Sequence, residues 1–405
     1  MRTVLLLAVL LVSAACPHAD TWGGDDAAAE IDSGVGDPAL DTTEPEWPDD
    51  EPIPAAFDFP PFLNVLDPTT VIVSWRTATV TTGSVRFGRS PTYGQVATTP
   101  GPSNLHHVAL VQLVPGAAYY YEVTVEPAGA TRRGVFVVPG RSEFRFMHSG
   151  ELHAPSQSGN VAKFAAPIRA FRPHVVIESG DMVDNGDDLH QWRTYFRTTA
   201  PWIGNVLLLP SQSNHVNGNG GNSLFQALFG IPNNERWYAT RLGNVQVLNL
   251  DSTYTANADL PTTEVPWLRA QVQAAHDGHD DPTFVIASWH YPACSSQYRT
   301  RSAERSWVHE HFISTIRAAG GVDLVLAAHD RYYERSTITG GIVHVITAIG
   351  NVSPEIPGGN HEDCTAIKTS RTGQTTGLYT VKGSAMSARI VDQHGAEIDA
   401  FSIEK

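Results

Sequence analysis

The sequence predicts a multidomain chain: an all-β sandwich of short strands followed by a larger α/β domain of layered strands and helices. Two observations carry this. From about Ile53 to Pro139, short runs rich in β-branched and aromatic residues are separated by turn residues, which is how a β-sandwich reads. After Glu143, continuous apolar runs alternate with helical patterns, the signature of an α/β domain. At 405 residues there is room for both, since domains usually hold about 100–200 residues.

The first 52 residues belong to neither domain. Arg2 precedes the apolar run Val4 to Val12, and Ser13-Ala14-Ala15 then leads to Cys16. The run is too short for a membrane-spanning helix and has the proportions of a signal peptide, residues 1–16. Small residues before a Cys resemble a bacterial lipoprotein cleavage site, although Ser13 stands where such sites prefer Leu. Lipid attachment at Cys16 and plain cleavage nearby both fit. Either predicts an exported protein: a cell-envelope lipoprotein, tethered to the membrane through Cys16, or a periplasmic or extracellular one. Residues 17–52 are rich in Asp, Glu, Ala, Gly and Pro and read as a disordered acidic linker. Between Asp20 and Glu51 there are 12 acids and no Lys or Arg, so they account for all but about -3 of the net charge of -15. The folded part is thus nearly neutral; contact with a polyanion needs a basic face, which this charge balance discourages, and no nucleic-acid partner is expected.

Within 53–140 the predicted strands are Thr70–Trp75, Gly83–Gly88, His107–Val111 and Ala118–Val125. No other ligand types cluster beside His106 and His107, so both read as structural. In 141–405 the buried strands are Val175–Ile177, Val206–Leu209, Val245–Leu250, Phe284–Ala287 and Val322–Leu326. Helical patterns cover Asn160–Phe171 and Val265–Ala275, and Ser387–Val391 and Ala400–Ile403 look like closing strands. With Cys16 set aside, Cys294 and Cys364 form a pair for which export permits a disulfide.

Polar residues follow the strands with regularity. Gly150-Glu151-Leu152-His153 comes after Phe144-Arg145-Phe146. Gly180-Asp181 follows Val175–Ile177, and Ser213-Asn214-His215 follows the Leu run. Trp289-His290 and Ala328-His329-Asp330-Arg331 follow the next two strands. Ligands of open α/β sheets bind outside the carboxyl ends of strands, so five such loops would meet in one cleft. Carboxylate and amide oxygens mixed with imidazoles suit Zn, Fe or Mn. A carboxylate such as Asp181 can bridge two cations, and neutral imidazoles and the amide of Asn214 add donors without charge. Two metals about 3.5–4 Å apart can polarise a phosphoryl group and activate water for in-line attack. A neighbouring His can protonate the leaving oxygen.

This series resembles the calcineurin-like metallophosphoesterase superfamily. Its blocks run Asp-x-His or Asp-x-Gly, Gly-Asp, Gly-Asn-His-Asp/Glu, a lone His after a strand, and Gly-His-x-His. Trp75 and Leu113-x-Pro115-Gly116 are similar to the fibronectin type III-like domain that precedes the catalytic domain of purple acid phosphatases. The resemblance implies a fibronectin III-like domain at 53–140 and, at 141–405, a phosphoesterase domain built as a layered β-sandwich flanked by helices. It also implies hydrolysis of a phosphate ester, mono- or diester. One metal would be held by Asp181, Asn214, His290 and His329, the other by Glu151, His153, Asp181 and the residue at Arg331, with His215 as general acid.

Departures from the pattern bear on chemistry. Glu151 replaces an Asp, and Arg331 replaces the last His; a guanidinium stays protonated and offers no lone pair. The third block, Ser213-Asn214-His215-Val216, lacks the acid expected to orient His215. Asp184 stands where a purple acid phosphatase carries its iron-binding Tyr, so the tyrosinate-iron colour is not expected. Two readings follow: an enzyme with one strong metal site in which Arg331, or a weakly held second metal, supplies further charge, or a degenerate fold serving as a phosphate-binding or structural module at the cell surface. Gly359-Asn360-His361-Glu362 copies the third block literally but lies after the last one with no buried strand before it, so chain order favours Asn214-His215. There is no Gly-x-Ser-x-Gly elbow, Walker loop or Cys-x-x-Cys pattern.

Overall fold

Two mixed sheets bring the carboxyl ends of their parallel strands to one place, and that placement creates the candidate site. The computed structural model describes residues 44–217, 223–231, 236–279, 282–296, 302–350, 360–371 and 373–405. The leader, Cys16 and most of the acidic linker lie outside them.

The N-terminal strands are β1 (Phe57–Asp67), β2 (Thr70–Gly88), β3 (Gln95–Thr98), β4 (Ser103–Leu110), β5 (Ala118–Glu126) and β6 (Ala130–Val137). The sequence splits β2 into two strands, whereas the structure has one strand of 19 residues. Its connecting stretch is rich in Thr and Val, which favour extended backbone. The first half pairs with β1 and β4, the second with β3 and β5, so β2 serves both ladders. At the changeover Trp75 is fully buried and stacks on His106, with ring centroids 4.9 Å apart. A Cβ at Gly83 would lie 2.8 Å from the Trp75 ring, so the crossover needs glycine. His106 also bonds Thr81, and His107 bonds Ser74 and the Ala227 carbonyl, so both imidazoles have structural partners.

Further along come β7 (Glu143–Ser149), β8 (Val175–Glu178), β9 (Leu207–Pro210), β10 (Tyr238–Leu242), β11 (Val245–Asn249), β12 (Phe284–Ser288) and β13 (Leu324–Ala327). The last six are β14 (Tyr333–Ile338), β15 (Ile342–Ile346), β16 (Cys364–Ser370), β17 (Thr375–Lys382), β18 (Ala385–Asp392) and β19 (Glu397–Glu404). One sheet runs β19-β18-β17-β7-β8-β9-β1-β2-β5-β6, with β7, β8, β9 and β1 parallel. The other runs β10-β11-β12-β13-β15-β14-β16, with β11, β12, β13 and β15 parallel.

The N-terminal module is therefore hydrogen-bonded into the larger one, because β1 pairs with β9 at Leu63–Leu207 and Asn64–Leu208. Pro60 and Pro61 sit where the β1–β2 register shifts, which is where a strand tolerates the missing N–H. The junction is sealed by Phe59 and Phe62 stacked on Phe196 of the helix Leu189–Thr198, and by Asp58 ion-paired to Arg76 and Arg193.

Buried hydroxyls join the carboxyl ends of the two sheets. Ser179 Oγ lies 3.0 Å from Ser288 Oγ, and Ser211 Oγ bonds Asn249 Oδ1 at 3.2 Å. A disulfide, Cys294–Cys364, links the segment after β12 to the start of β16. No helix among the described residues is long and apolar enough to cross a membrane.

Candidate metal centre

Each site residue sits in the turn that leaves a parallel strand. Glu151 and His153 follow β7, Asp181 follows β8, Asn214 and His215 follow β9, His290 follows β12, and His329 and Arg331 follow β13. The backbone there is strained. Among the described residues seven non-glycine positions have positive φ, and four are Glu151 (57°), His153 (51°), Asp181 (54°) and His329 (64°). L-residues in this region are uncommon and cluster where a side chain must be aimed for function. Gly180 is required for the same turn. Its φ is +93°, and a Cβ there would stand 2.5 Å from Ser213 Cβ and 2.9 Å from His290 Nδ1.

One donor group centres on His290 Nε2. Around it lie Asn214 Oδ1 at 2.8 Å, His329 Nδ1 at 3.2 Å, Asp181 Oδ2 at 3.4 Å and Glu151 Oε1 at 3.9 Å. His290 Nδ1 donates to the Ser179 carbonyl at 2.8 Å, which turns Nε2 toward the group and fixes the tautomer. Donors about 2.1 Å from one four- or five-coordinate metal stand roughly 3–3.5 Å from their neighbours, so these separations suit a single ion. Glu151 Oε1 is buried and has no hydrogen-bond partner among the described residues. An orphaned carboxylate oxygen is costly in a protein interior and is satisfied by a cation. The donor set fits a transition metal.

The electrostatics agree. Burial alone would push the His290 imidazole down, but the Asp181 and Glu151 carboxylates outweigh it and raise its pKa to about 9. Burial would likewise raise Asp181, yet the imidazoles of His290, His153 and His215 hold its carboxyl well below the usual range. This pocket of negative potential favours positive charge.

Beside it lies a second donor group. His153 Nε2 is 2.9 Å from Glu151 Oε2 and 3.5 Å from Asp181 Oδ2. His153 Nδ1 donates to Asp184 Oδ1 at 3.0 Å, leaving the Nε2 lone pair to face these carboxylate oxygens. Arg331 fills the space: its Nε donates to Glu151 Oε2 at 3.0 Å and its Nη2 to His153 Nε2 at 2.9 Å. Glu151 thus divides its two oxygens, one toward His290 and one toward Arg331. The sequence places Glu151 only in the second set.

His215 stands at the rim, with its side chain 35% exposed and Nε2 4.0 Å from Asp181 Oδ2. Its Nδ1 donates to the backbone carbonyl of Asp184 at 2.8 Å, which takes the place of the acid missing from the sequence. All eight candidates therefore come together: Glu151, His153, Asp181, Asn214, His215, His290, His329 and Arg331. Three contributors are not read from the sequence: the Ser179 carbonyl, the Asp184 pair of contacts, and Ser213 Oγ, which accepts from the Asp181 N–H at 2.9 Å. Two of those orienting groups are backbone atoms and carry no residue code.

The copied motif behaves differently. Asn360 Oδ1 accepts from Ser295 N, and the His361 ring stacks on His309 with centroids 3.5 Å apart. The adjoining Asp363 is ion-paired to Arg317 at 3.0 Å. None of these contacts involves the eight site residues.

No family model matches the chain. Two uncharacterized proteins from strains of Mycobacterium tuberculosis are 25% identical over 329 residues, 66% of this chain; the chain spans 60% of their length. A purple acid phosphatase from yellow lupin (Lupinus luteus) seeds superimposes with a TM-score of 0.69 at 16% identity, over 85% of this chain and 74% of that one. A dimetal phosphatase from Danio rerio aligns over 64% of this chain and 98% of its own, at 13% identity and a TM-score of 0.46. The alignment with the lupin enzyme covers most of this chain, and the fold is accordingly the α/β metallophosphoesterase fold.

Proposed function

We propose that the chain hydrolyses phosphate esters, as a phosphomonoesterase or phosphodiesterase, with a metal ion of the Zn, Fe or Mn type held by Asp181, Asn214, His290, His329 and Glu151. The observation that carries this reading is the donor set around His290 Nε2, in which Glu151, Asp181 and His290 are buried and Glu151 Oε1 has no hydrogen-bond partner among the described residues. When bound, such an ion supplies the positive charge that polarises a phosphoryl oxygen and eases deprotonation of water. The chain's own groups do the rest. Ser179 orients His290, Asp184 orients His153 and His215, and Arg331 offers guanidinium charge suited to a phosphoryl oxygen. His215, at the exposed rim, is placed to hand a proton to the leaving oxygen. No nucleic-acid partner is proposed.

Export is part of the proposal. The Cys294–Cys364 disulfide supports an oxidising compartment, and the leader with Cys16 supports attachment to an envelope membrane. The competing reading, a degenerate phosphate-binding or structural module, is favoured by one observation: Arg331 engages donors that would otherwise serve a second metal. Hydrolysis of a chromogenic phosphomonoester and a diester, with Zn, Mn, Fe or Mg added, separates the two. The enzyme reading expects turnover with at least one metal and its loss in His290→Ala. Absence of turnover with all four favours the module.

A further inference from the structure

The second donor group is arranged for a cation and already holds one. His153 Nε2 and Glu151 Oε2, two lone-pair atoms, stand 2.9 Å apart, and Asp181 Oδ2 is 3.5 Å from the same nitrogen. Atoms of this kind repel unless a positive charge lies between them. Arg331 provides that charge, donating to both Glu151 Oε2 and His153 Nε2. Its side chain is only 17% exposed, and the Glu151 side chain is 1% exposed, so the ion pair is shielded from solvent. A metal placed about 2.1 Å from both donors would need the guanidinium expelled, because Arg has no lone pair to share and keeps its proton. Expulsion would break two charge-assisted bonds at a partly buried position.

We infer that Arg331 is a permanent, covalently attached second cation, so that the chain binds one metal ion rather than two. The inference rests on the metal centre proposed above and adds its stoichiometry. Glu151 couples the two cations, with Oε1 facing the His290 group and Oε2 neutralised by Arg331. Two of the five N–H donors of Arg331 are used in this clamp, which leaves three for a ligand phosphoryl oxygen.

The test counts metal ions per chain by elemental analysis of the full chain, saturated with Zn or Mn and freed of excess. One ion on the wild type and two on Arg331→His, falling back to one in the double variant Arg331→His, His153→Ala, is the expected result. Two ions on the wild type overturn the inference while leaving the metal centre intact, as does a folded Arg331→His chain that still holds one. None on the wild type overturns the metal centre itself. The wild-type count decides the question even where the variant fails to fold.

Discussion

His215 Nδ1 donates to the backbone carbonyl of Asp184 at 2.8 Å, so this imidazole is oriented by main chain rather than by an acid. Its Nε2 is thereby aimed into the cleft, 4.0 Å from Asp181 Oδ2. A main-chain partner cannot be deleted by mutating Asp184, whereas the His153 contact, made by the Asp184 carboxylate, can. Replacing His215 by Ala should therefore lower kcat by about 10²–10⁴-fold, the usual contribution of general acid catalysis, with bound metal unchanged. Asp184→Ala keeps the main-chain partner of His215 and should lower kcat less than His215→Ala does. Steady-state kinetics with parallel metal analysis check both, and a His215→Ala chain with wild-type kcat would remove this residue from the mechanism.

Glu178, at the end of β8, sits in the core with Tyr195 donating to it at 2.8 Å. Burial pushes its carboxyl up to about 7 from 4.5. The folded state therefore holds a proton that the unfolded state has released between these values. Its contribution to stability is complete below about pH 4.5 and lost as pH rises through about 7, a change of ~3 kcal/mol. Glu178→Gln keeps an acceptor for Tyr195 and abolishes the titration. Thermal melts should show the variant gaining on the wild type from pH 5 to pH 8; parallel melting curves across that range would show that Glu178 does not titrate there.

Cys294 and Cys364 close a loop spanning 70 positions. In the chain-entropy account a loop of that size gives about 4 kcal/mol. The double variant Cys294→Ser, Cys364→Ser, and the wild type under reducing conditions, should lose stability by a comparable amount in denaturant titrations. The bond ties the segment after His290 to the edge strand β16, so metal affinity should fall with it.

Much of this architecture is legible in the chain. Apolar runs such as Val175–Ile177 and Phe284–Ala287 are buried on both faces, as parallel strands are, and the polar residues behind each run fall at the carboxyl edge. β1 is not legible, because Pro60 and Pro61 interrupt its pattern and its partners β2 and β9 lie on opposite sides of it. The single long β2 is hidden by the polar Thr-rich stretch that lets it change ladders. In the site, residue types identify donors but not which oxygen faces which cation. Glu151 reads as a ligand of one group, while its two oxygens serve two. The replacement for the missing acid beside His215 is a carbonyl, which every residue has. Arg331 is visible as a misfit to the pattern, but its clamp on Glu151 and His153 depends on the loops after β7 and β13 meeting and appears only in three dimensions.

Anomalous diffraction from crystals of the full chain grown with Zn, Mn or Fe tests the metal centre most directly. A peak bounded by Asp181, Asn214, His290, His329 and Glu151 Oε1 is the predicted result. Saturating metal with no anomalous density inside that donor set would contradict it.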